Sequence, residues 1–357
     1  MRRPGVVRPG VVVTIALLAI GAAACGSSSN SGASSTSTGS GPAGRLDGNI
    51  TVYSGQHEQT VAALVSAFRK QSHINVTVRS DDEATLANQM LQEGSDTPAD
   101  VFFAENPPAL NVLDEHHLLA KTKPVTLAKV GAAYSPTSGD WVGVSARSAA
   151  LAYNTGKVKE SDLPASVVDM AKPEWKGKVG FAPTETDFQP LVTAMVKTHG
   201  VDATKQWLED LKANAKIYQD NEALVAAVDK GEVETGILDH YYWYRLRDEV
   251  GARSVHSALH SFAAGDPGAL VDVSGAGQTA ASRHPKSAQA FLAFLVSAPG
   301  QKIIANGESY EYPLGSGVRT TKVAHKFSDF GPPTITIADL GDGMQAISLL
   351  QEAGLLE

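Results

Sequence analysis

The chain has 357 residues, of which 43% are apolar and 19% charged, and its formal net charge is −8. This length predicts two domains, and the composition is typical of a globular protein with a substantial core. The acidic balance argues against a nucleic-acid partner and is compatible with a cationic ligand.

The N-terminus is predicted to be an export signal. Arg2, Arg3 and Arg8 form a basic start, and residues 11–24 form an apolar run of 14 residues that is too short to span a bilayer. The run ends in AAACGS, which resembles a bacterial lipoprotein processing site with alanine in place of the usual leucine. Cys25 is the sole cysteine and has no partner for a disulfide. We therefore expect residues 1–25 to be a lipoprotein signal peptide and Cys25 to carry the lipid.

The segment over 26–45 is rich in Ser, Gly and Thr, a composition that cannot bury enough apolar surface to fold. It is predicted to be a flexible tether between the lipid and a folded part that starts near Leu46. Without the three N-terminal arginines the chain holds 27 basic and 38 acidic residues, a balance of −11. The expected location is the outer face of the cytoplasmic membrane, at the cell surface or on the periplasmic side.

The first part of the folded chain shows regularly alternating elements. Periodicity predicts the strands 49–54, 74–79 and 100–104, each followed by a helix, at 58–71, 83–93 and 107–116. This βαβαβα order predicts a parallel sheet with helices on both faces.

The remaining elements follow the same α/β pattern. The expected strands or extended segments are 141–144, 149–153, one ending at 181, 217–219, 233–238 and 268–273. The expected helices are 188–199, 203–213, 222–230, 244–251, 278–284, 287–296 and 339–354. The run Gly275-Ala276-Gly277 resembles a dinucleotide loop, but no acidic residue follows about twenty positions later, so it is interpreted as a tight turn into a helix.

Tyr241 and Tyr242 lie where a predicted strand meets a predicted helix. Adjacent side chains diverge within a strand or a helix, so two neighbouring phenols can aim at one point only near such a junction. A phenol with a pKa near ~10 is neutral at pH 7, but a highly charged metal displaces its proton. The pair is therefore typical of a site for a hard cation, ferric iron above all. The alternative is an aromatic cluster in a core, with Asp239 as the helix cap.

Two further polar residues follow predicted strands. His57 comes after the first strand and Glu105 after the third, at the carboxyl ends where such sheets bind ligands. An imidazole and a carboxylate facing two phenols make a metal site. Alternatively, His57 only begins a helix and Glu105 only caps one. No nucleophile elbow or GK[ST] phosphate loop is present in the sequence, so nothing in it indicates an enzyme.

Several segments together resemble the bacterial periplasmic ferric-iron-binding proteins of ABC importers: ITVYSGQHEQT, TPADVFFAEN, KPEWKGKVGF, GILDHYYWYR, GDPGALV and ESYEYPL. The resemblance runs from about Asn49 to Glu357. It implies a type II-like periplasmic-binding-protein fold, with two α/β lobes joined by two crossing strands and a ligand cleft between them. By the same resemblance the first lobe comprises 46–149 plus 272–322, and the second 150–271 plus 323–357.

The resemblance also implies that His57, Glu105, Tyr241 and Tyr242 hold Fe(III), the same four residues chosen above. One carboxylate and two phenolates balance the three positive charges of the ion, and hard oxygen donors suit it. Four protein ligands leave two octahedral positions open. In the family an exogenous anion, such as phosphate or carbonate, often fills these positions.

The residues that hold this anion in the family are only partly retained. Asn221 is present, but Glu185 and Thr186 replace a serine-glycine pair and Asp239 replaces an asparagine. Asn106 is assigned to the surroundings of the metal ligands. Two carboxylates at the position of the anion would make the binding free energy of phosphate less favourable by roughly a few kcal/mol. We therefore hypothesise that water, carbonate or a side chain takes the place of phosphate, with Asp239 as one candidate.

The expected function is a monomeric, lipid-anchored receptor that is not an enzyme. It captures Fe(III) and delivers it to the permease and ATPase subunits of an ABC transporter. The main alternative is a receptor of the same fold for an organic solute, such as thiamine, a polyamine or an iron chelate, on which Tyr241, Trp243 and Tyr244 would stack. A secreted hydrolase is a second alternative.

Overall fold

A computed structural model describes residues 46–315, 317–330 and 333–357. The predicted signal peptide, the lipid attachment at Cys25 and the tether over 26–45 lie outside the described residues.

The described residues alternate strands and helices. The strands are β1 Ile50–Ser54, β2 Val76–Ser80, β3 Val101–Ala104, β4 Leu119–Ala120, β5 Trp141–Asn154, β6 Val179–Phe181, β7 Lys216–Ile217, β8 Thr235–Asp239, β9 Ser257–His260, β10 Val271–Thr279 and β11 Tyr312–Pro313. The helices are α1 Glu58–Ser72, α2 Glu83–Glu93, α3 Pro107–Glu115, α4 Pro124–Leu127, α5 Phe188–His199, α6 Val201–Asn214, α7 Asn221–Lys230, α8 His240–Val250, α9 Pro285–Leu295, α10 Ala298–Asn306, α11 Ile337–Leu340 and α12 Met344–Glu352. The predicted order of elements up to α3 is confirmed.

The sheet consists of two parallel halves joined by antiparallel strands. β1 pairs in parallel with β2 and β3 in the first half, and β6 pairs in parallel with β7 and β8 in the second. Between the halves, β10 runs antiparallel to β3 and β5, and β5 runs antiparallel to β8. The order is β2-β1-β3-β10-β5-β8-β6-β7. The predicted two-lobe α/β architecture with crossing strands is confirmed.

β5 connects the halves because its two ends pair with different strands. Residues 141–148 pair with β10, and residues 149–153 pair with β8. The two extended segments predicted at 141–144 and 149–153 are therefore one strand, and nearly all of its residues are buried. This strand carries Arg147 at the junction of the halves.

Each half has its own apolar core. In the first, α1, α9 and α10 pack on the sheet, and the rings of Phe68 and Phe291 meet edge to face with centroids 5.1 Å apart. In the second, α5, α6 and α12 contribute Phe188, Trp207 and Leu349. Burying each such large apolar side chain contributes about 1.5–3 kcal/mol. A third cluster combines residues of both halves and includes Tyr241 and Tyr242.

No single described helix is long and apolar enough to cross a membrane. The bent pair α9 and α10, which meet at 53°, passes such a test together on length and composition alone. Most of the apolar side chains of this pair belong to the first core.

The prediction of a helix at 278–284 is wrong, because β10 continues to Thr279 and a turn follows. Gly275 and Gly277 suggested a turn, but they lie within the strand opposite β3. Their missing side chains have a packing reason instead. A Cβ at Gly275 would lie 2.5 Å from the ring of Trp141, and one at Gly277 would lie 3.0 Å from Leu119.

Two other predicted helices have different bounds. The helix predicted at 339–354 is interrupted between α11 and α12, where Gly341 and Gly343 adopt positive φ angles of 53° and 75°. The helix predicted to start at Tyr244 starts at His240, directly after β8. Tyr241 and Tyr242 are therefore in the first turn of α8 and not in a loop before it.

We expect Gly275→Ala to lower the free energy of unfolding by about 1–3 kcal/mol, because the added methyl overlaps the buried ring of Trp141. Urea unfolding measures the change. Gly131→Ala is the matched control, since Gly131 is exposed and its nearest neighbour is the partly buried ring of Tyr134 at 3.3 Å. Equal stability of the two variants would contradict this packing argument.

Candidate metal centre

The tyrosine pair is held in place by the residue that precedes it. The Nδ1 atom of His240 accepts a hydrogen bond from the backbone N–H of Ser148 at 3.2 Å, and its Nε2 atom donates to the carbonyl of Tyr310 at 3.0 Å. These bonds fix the first turn of α8 against the crossing strand β5. The rings of Tyr241 and Tyr242 then lie side by side, with centroids 4.1 Å apart.

His57 and Glu105 approach this pair from the other half of the sheet. The Nε2 atom of His57 is 3.2 Å from Oε1 of Glu105, and the hydroxyl of Tyr241 donates to the same Oε1 atom at 3.2 Å. The rings of His57 and Tyr241 meet edge to face at 5.1 Å. Although Glu105 is close, Nε2 of His57 is buried and lacks an aligned hydrogen-bond partner among the described residues. The structure thus brings the side chains of His57, Glu105 and Tyr241 together, and the ring of Tyr242 packs at a tilt against that of Tyr241.

Asp187 is a further member of this group, and the sequence analysis missed it. Its Oδ2 atom lies 3.4 Å from the hydroxyl oxygen of Tyr241, within hydrogen-bond distance. Asp187 precedes α5 in the position where aspartate usually caps a helix, but its side chain makes no cap hydrogen bond there. The carboxylate is turned into the cleft instead.

The spacing of these donors fits a small octahedral ion. Bonds of about 2.1 Å at right angles place adjacent donors about 3 Å apart. The separations from His57 to Glu105, from Glu105 to Tyr241 and from Tyr241 to Asp187 are 3.2, 3.2 and 3.4 Å. Among the described residues, no three His, Cys, Asp or Glu side chains form a metal site without other donors. A metal at this place would therefore need the phenolic oxygens.

The surroundings set the protonation of these groups. Burial lowers the pKa of His57 to about 4, so its imidazole is neutral at pH 7 and keeps a lone pair for a metal. Burial, together with the charge of Glu105, raises the pKa of Tyr241 well above its usual value, and burial with Asp187 does the same for Tyr242. Burial and the nearby acids also raise the pKa of Asp187. A metal must therefore displace protons from this site.

The residues predicted to surround an anion fall into two groups, and the first of them lies at the start of α7. The side-chain amide of Asn221 donates to Oδ1 of Asp187 at 3.3 Å, and the backbone N–H of Asn221 donates to Oε1 of Glu185 at 3.4 Å. Burial raises the pKa of Glu185. Thr186 is partly buried and lies between these two acids in the loop before α5. The N-terminus of α7 therefore faces carboxylates of the chain itself.

Asp239 and Asn106 belong to a second group, built around Arg147. The guanidinium is fully buried, and its neighbours come from four parts of the chain. They are the carbonyl of Glu105 at 2.6 Å, the amide oxygen of Asn106, and the carboxylates of Asp239 at 2.9 Å, Asp272 at 3.2 Å and Glu311 at 4.0 Å. Asp239 faces Arg147 and makes no cap hydrogen bond to α8, so the proposed cap role is wrong.

One guanidinium does not neutralise this many buried acids. Burial works against the charge of Arg147, but the surrounding carboxylates outweigh it and raise the pKa of Arg147. In spite of that cation, burial raises the pKa of Glu311 to about 7 and that of Asp272 to about 6. Burial also raises the pKa of Asp239. The interior around Arg147 therefore holds an excess of acidic groups.

The sequence contains signals for Arg147 and Asp187, although neither was predicted to be a site residue. Arg147 is a charged residue within the otherwise uncharged strand β5, which is typical of a buried ionic group. Asp187 follows a short buried strand, as His57 and Glu105 do. Nothing in the sequence indicated that Asp272 and Glu311 would meet Arg147, since 125 residues separate it from Asp272.

The aromatic residues proposed to stack on an organic solute have other partners. The indole N–H of Trp243 donates to Ser257 at 3.1 Å. The hydroxyl of Tyr244 accepts from the backbone of Ala324 at 2.7 Å, and its ring stacks on Tyr310 at 5.7 Å. Tyr241 alone of the three proposed residues lies beside His57 and Glu105.

Known proteins resemble this chain over nearly all of the described residues. The family described as "Bacterial extracellular solute-binding protein" matches residues 96–329. An Fe(3+)-binding periplasmic protein of Serratia marcescens is 38% identical over 314 residues, which are 88% of this chain and 93% of that protein. Iron-bound HitA of Pseudomonas aeruginosa superposes with a TM-score of 0.82 at 41% identity, covering 86% of this chain and all of that one (100%). A Trichodesmium protein in complex with iron and citrate has a TM-score of 0.75 at 26% identity, with coverages of 86% and 99%.

We expect Glu311→Gln to flatten the pH dependence of stability in the metal-free protein. Glu311 has its pKa raised from 4.5 to about 7, so the folded state keeps a proton that the unfolded chain releases. The resulting stabilisation is complete below pH 4.5 and is lost as the pH rises to about 7. Relative to the parent, the variant should therefore gain about 1–3 kcal/mol over this interval.

Urea unfolding at several pH values across that interval measures the gain. The exposed Glu308 provides the matched control, as Glu308→Gln. If the stability difference between Glu311→Gln and the parent did not change with pH, the charge assigned to Glu311 would be wrong.

Proposed function

The chain belongs to the bacterial extracellular solute-binding proteins, and we propose that its cargo is ferric iron, captured in the cleft between two lobes outside the cytoplasm. The observation that carries the proposal is the convergence of one imidazole, one carboxylate and a phenol within 3.2 Å contacts from opposite halves of the sheet. The relatives named above as iron-binding proteins support the same cargo.

In the proposed site His57, Glu105, Tyr241 and Tyr242 are the protein ligands. His57 contributes a neutral nitrogen whose Nε2 atom has no aligned hydrogen-bond partner among the described residues. Glu105 and two deprotonated tyrosines contribute three negative charges, which match the three positive charges of Fe(III). This match lowers the free-energy cost of burying the ion. Softer divalent ions would leave the site with a negative excess.

We propose the lobe boundaries predicted from the resemblance, 46–149 plus 272–322 and 150–271 plus 323–357. The change of partner of β5 after Ser148 and the start of β10 at Val271 support them. With these boundaries His57 and Glu105 lie on the first lobe and both tyrosines on the second. An ion that needs both sets of ligands favours the closed state over the open one. Protonation of the phenolates, or reduction to Fe(II), would weaken the site and release the ion.

We also propose the cellular role that was expected from the sequence. The protein would be a monomer without enzymatic activity, attached to the membrane through a lipid on Cys25, and would deliver iron to the permease and ATPase of an ABC transporter. The extracellular family and the periplasmic relative support a location outside the cytoplasm.

We also propose that phosphate is not the partner anion. The acids that support this proposal are Glu185 and Asp187, and no longer Glu185 and Asp239. Asp239 forms an ion pair with Arg147 at 2.9 Å, so we no longer count it among the acids at the anion position. Glu185 and Asp187 are the acids that face Asn221. Their carboxyl groups lie where a phosphate would need positive charges or free N–H donors.

We expect Tyr242→Phe to abolish the visible absorption of the ferric protein, because that band arises from charge transfer between a phenolate and the ion. Absorption spectra after addition of ferric citrate measure this. Tyr218→Phe is the matched control, as Tyr218 is a partly buried tyrosine of the same half of the sheet. A coloured and tightly binding Tyr242→Phe protein would contradict the ligand assignment.

We expect the apparent iron affinity to rise at least about 100-fold per pH unit near neutrality, since burial holds both phenols protonated in the metal-free protein and each must lose its proton to bind. Competition with a chelator, corrected for the chelator's own protonation, measures this slope. In Tyr242→Phe one proton fewer is released on binding, so the change in affinity per pH unit should be about ten times smaller than in the parent protein. A pH-independent affinity would exclude phenolate ligands.

A further inference from the structure

Away from the cleft, helix α3 contacts the C-terminal segment of the chain through one buried polar side chain. The side-chain amide of Asn111 donates hydrogen bonds to the carbonyl of Ile337 at 3.3 Å and to that of Gly341 at 2.8 Å. These carbonyls belong to the first residue of α11 and to the residue that follows its last one. One amide therefore spans a whole short helix that lies 226 to 230 positions later in the chain.

The C-terminal segment is fixed to the second half of the sheet. Leu340 of α11 packs with Ala194 of α5, and Leu349 of α12 lies in the apolar core of that half. The amine of Lys212 on α6 also donates to the carbonyl of Ala353 at 2.7 Å. Because these contacts stay within one half, α11 and α12 belong to the second of the two proposed lobes.

Helix α3 is fixed to the first half. It follows β3 through a short turn, and its fully buried Leu110 packs against β10, where a Cβ at Gly275 would lie 2.9 Å from it. Asn111 is the next residue, so its side chain is turned by about 100° around the helix axis and faces α11 instead of the sheet. Its two hydrogen bonds therefore join the first lobe to the second.

Two glycines shape the backbone that α3 contacts. Gly341 and Gly343 have φ angles of 53° and 75°, which other residues adopt only with strain. Gly343 also lies against the first turn of α3, since a Cβ added to it would be 3.2 Å from the Cβ of Pro108. The second lobe thus approaches α3 closely at two points, and Asn111 makes the polar contact between them.

The described arrangement is a closed one, because Glu105 of the first lobe and Tyr241 of the second are 3.2 Å apart across the cleft. Rotation of the lobes about β5 and β10 would change the distance between α3 and α11. A hydrogen bond is lost once donor and acceptor are more than about 3.5 Å apart, so a small rotation is enough to break both bonds of Asn111. Water would then bind the amide and the two carbonyls.

We propose that Asn111 is a latch between the lobes: its hydrogen bonds to Ile337 and Gly341 form on closure and break on opening. The inference rests on the proposed ferric function. An ion that binds only the closed state has an apparent affinity proportional to the closed fraction of the metal-free protein. The latch raises that fraction and slows release of the ion, although Asn111 does not touch it. Asn111 is therefore a positioning residue that acts through closure.

The test removes the two donors with Asn111→Ala. We expect ferric affinity about tenfold lower than in the parent, equivalent to about 1.4 kcal/mol, which is the size of effect that one or two hydrogen bonds produce. Release of the ion to a chelator should be faster by a similar factor. The urea midpoint of the metal-free protein should stay near that of the parent, because Asn111 faces water in the open state. Chelator competition, decay of the visible band and urea unfolding measure the three quantities.

Asn154→Ala is the matched control. Asn154 is also a buried asparagine whose amide donates to two backbone carbonyls, those of Val228 at 2.9 Å and Asp229 at 3.0 Å. All three residues belong to the second lobe, so these bonds do not depend on closure. We expect a lower urea midpoint in this variant, with the ferric affinity and the release rate of the parent.

A second variant keeps the shape of the side chain. Asn111→Asp replaces the amide donors by a carboxylate oxygen, which has no proton to donate and repels the carbonyls of Ile337 and Gly341. We expect it to weaken ferric binding more than Asn111→Ala does. Equal affinity of Asn111→Asp and the parent would overturn the latch.

Two other results separate the latch from the function on which it rests. If Asn111→Ala lowers the urea midpoint but keeps the affinity and release rate of the parent, the bonds persist in both states. That result overturns the latch and leaves the ferric function standing. A parent protein that binds no ferric iron overturns both.

Discussion

The pairing of the buried guanidinium of Arg147 with oxygen atoms from both halves of the sheet is the interaction on which the geometry of the site depends. Arg147 lies on the crossing strand β5, fully enclosed, and directly opposite Asp272 of β10 in the strand register. A buried charge without partners costs several kcal/mol, so the chain around it must supply acceptors in fixed places. These include the carbonyl of Glu105 at 2.6 Å and the carboxylate of Asp239 at 2.9 Å. Because Glu105 follows β3 and Asp239 ends β8, one cation fixes the carboxyl ends of strands from both halves of the sheet.

Much of the fold followed from the sequence, because local pattern and topology agree there. The alternation of strands and helices up to α3 predicts a parallel sheet, and the carboxyl ends of parallel strands meet at one edge. For this reason His57 and Glu105 were expected beside each other, and they lie 3.2 Å apart. The resemblance supplied the two lobes and their crossing strands. Periodicity failed at β10, where Gly275 serves the packing of Trp141 and not a turn.

The polar interior did not follow from the sequence in the same way, because its members are far apart along the chain. A charged residue in the buried strand β5 indicates that partners exist but not which ones they are. Asp187 was missed for a different reason. An aspartate before a helix is usually its cap, and only the structure shows that this one forgoes the cap and faces Tyr241. Local rules fail at these two residues, as is expected where a site needs an unusual arrangement.

The excess of acid explains why such a cleft would select a trivalent cation. In the metal-free protein, burial and the charge of neighbouring acids raise the pKa of Tyr241 and Tyr242, so these groups oppose each other's ionisation. A strongly positive ion reverses the sign of that interaction, since every acid that disfavours a phenolate favours the metal. A divalent ion gains less from the same charges and must displace the same protons. Selectivity would therefore come from the ionic charge that is required to deprotonate two buried phenols, and the proposed closure of the lobes would strengthen it by excluding water.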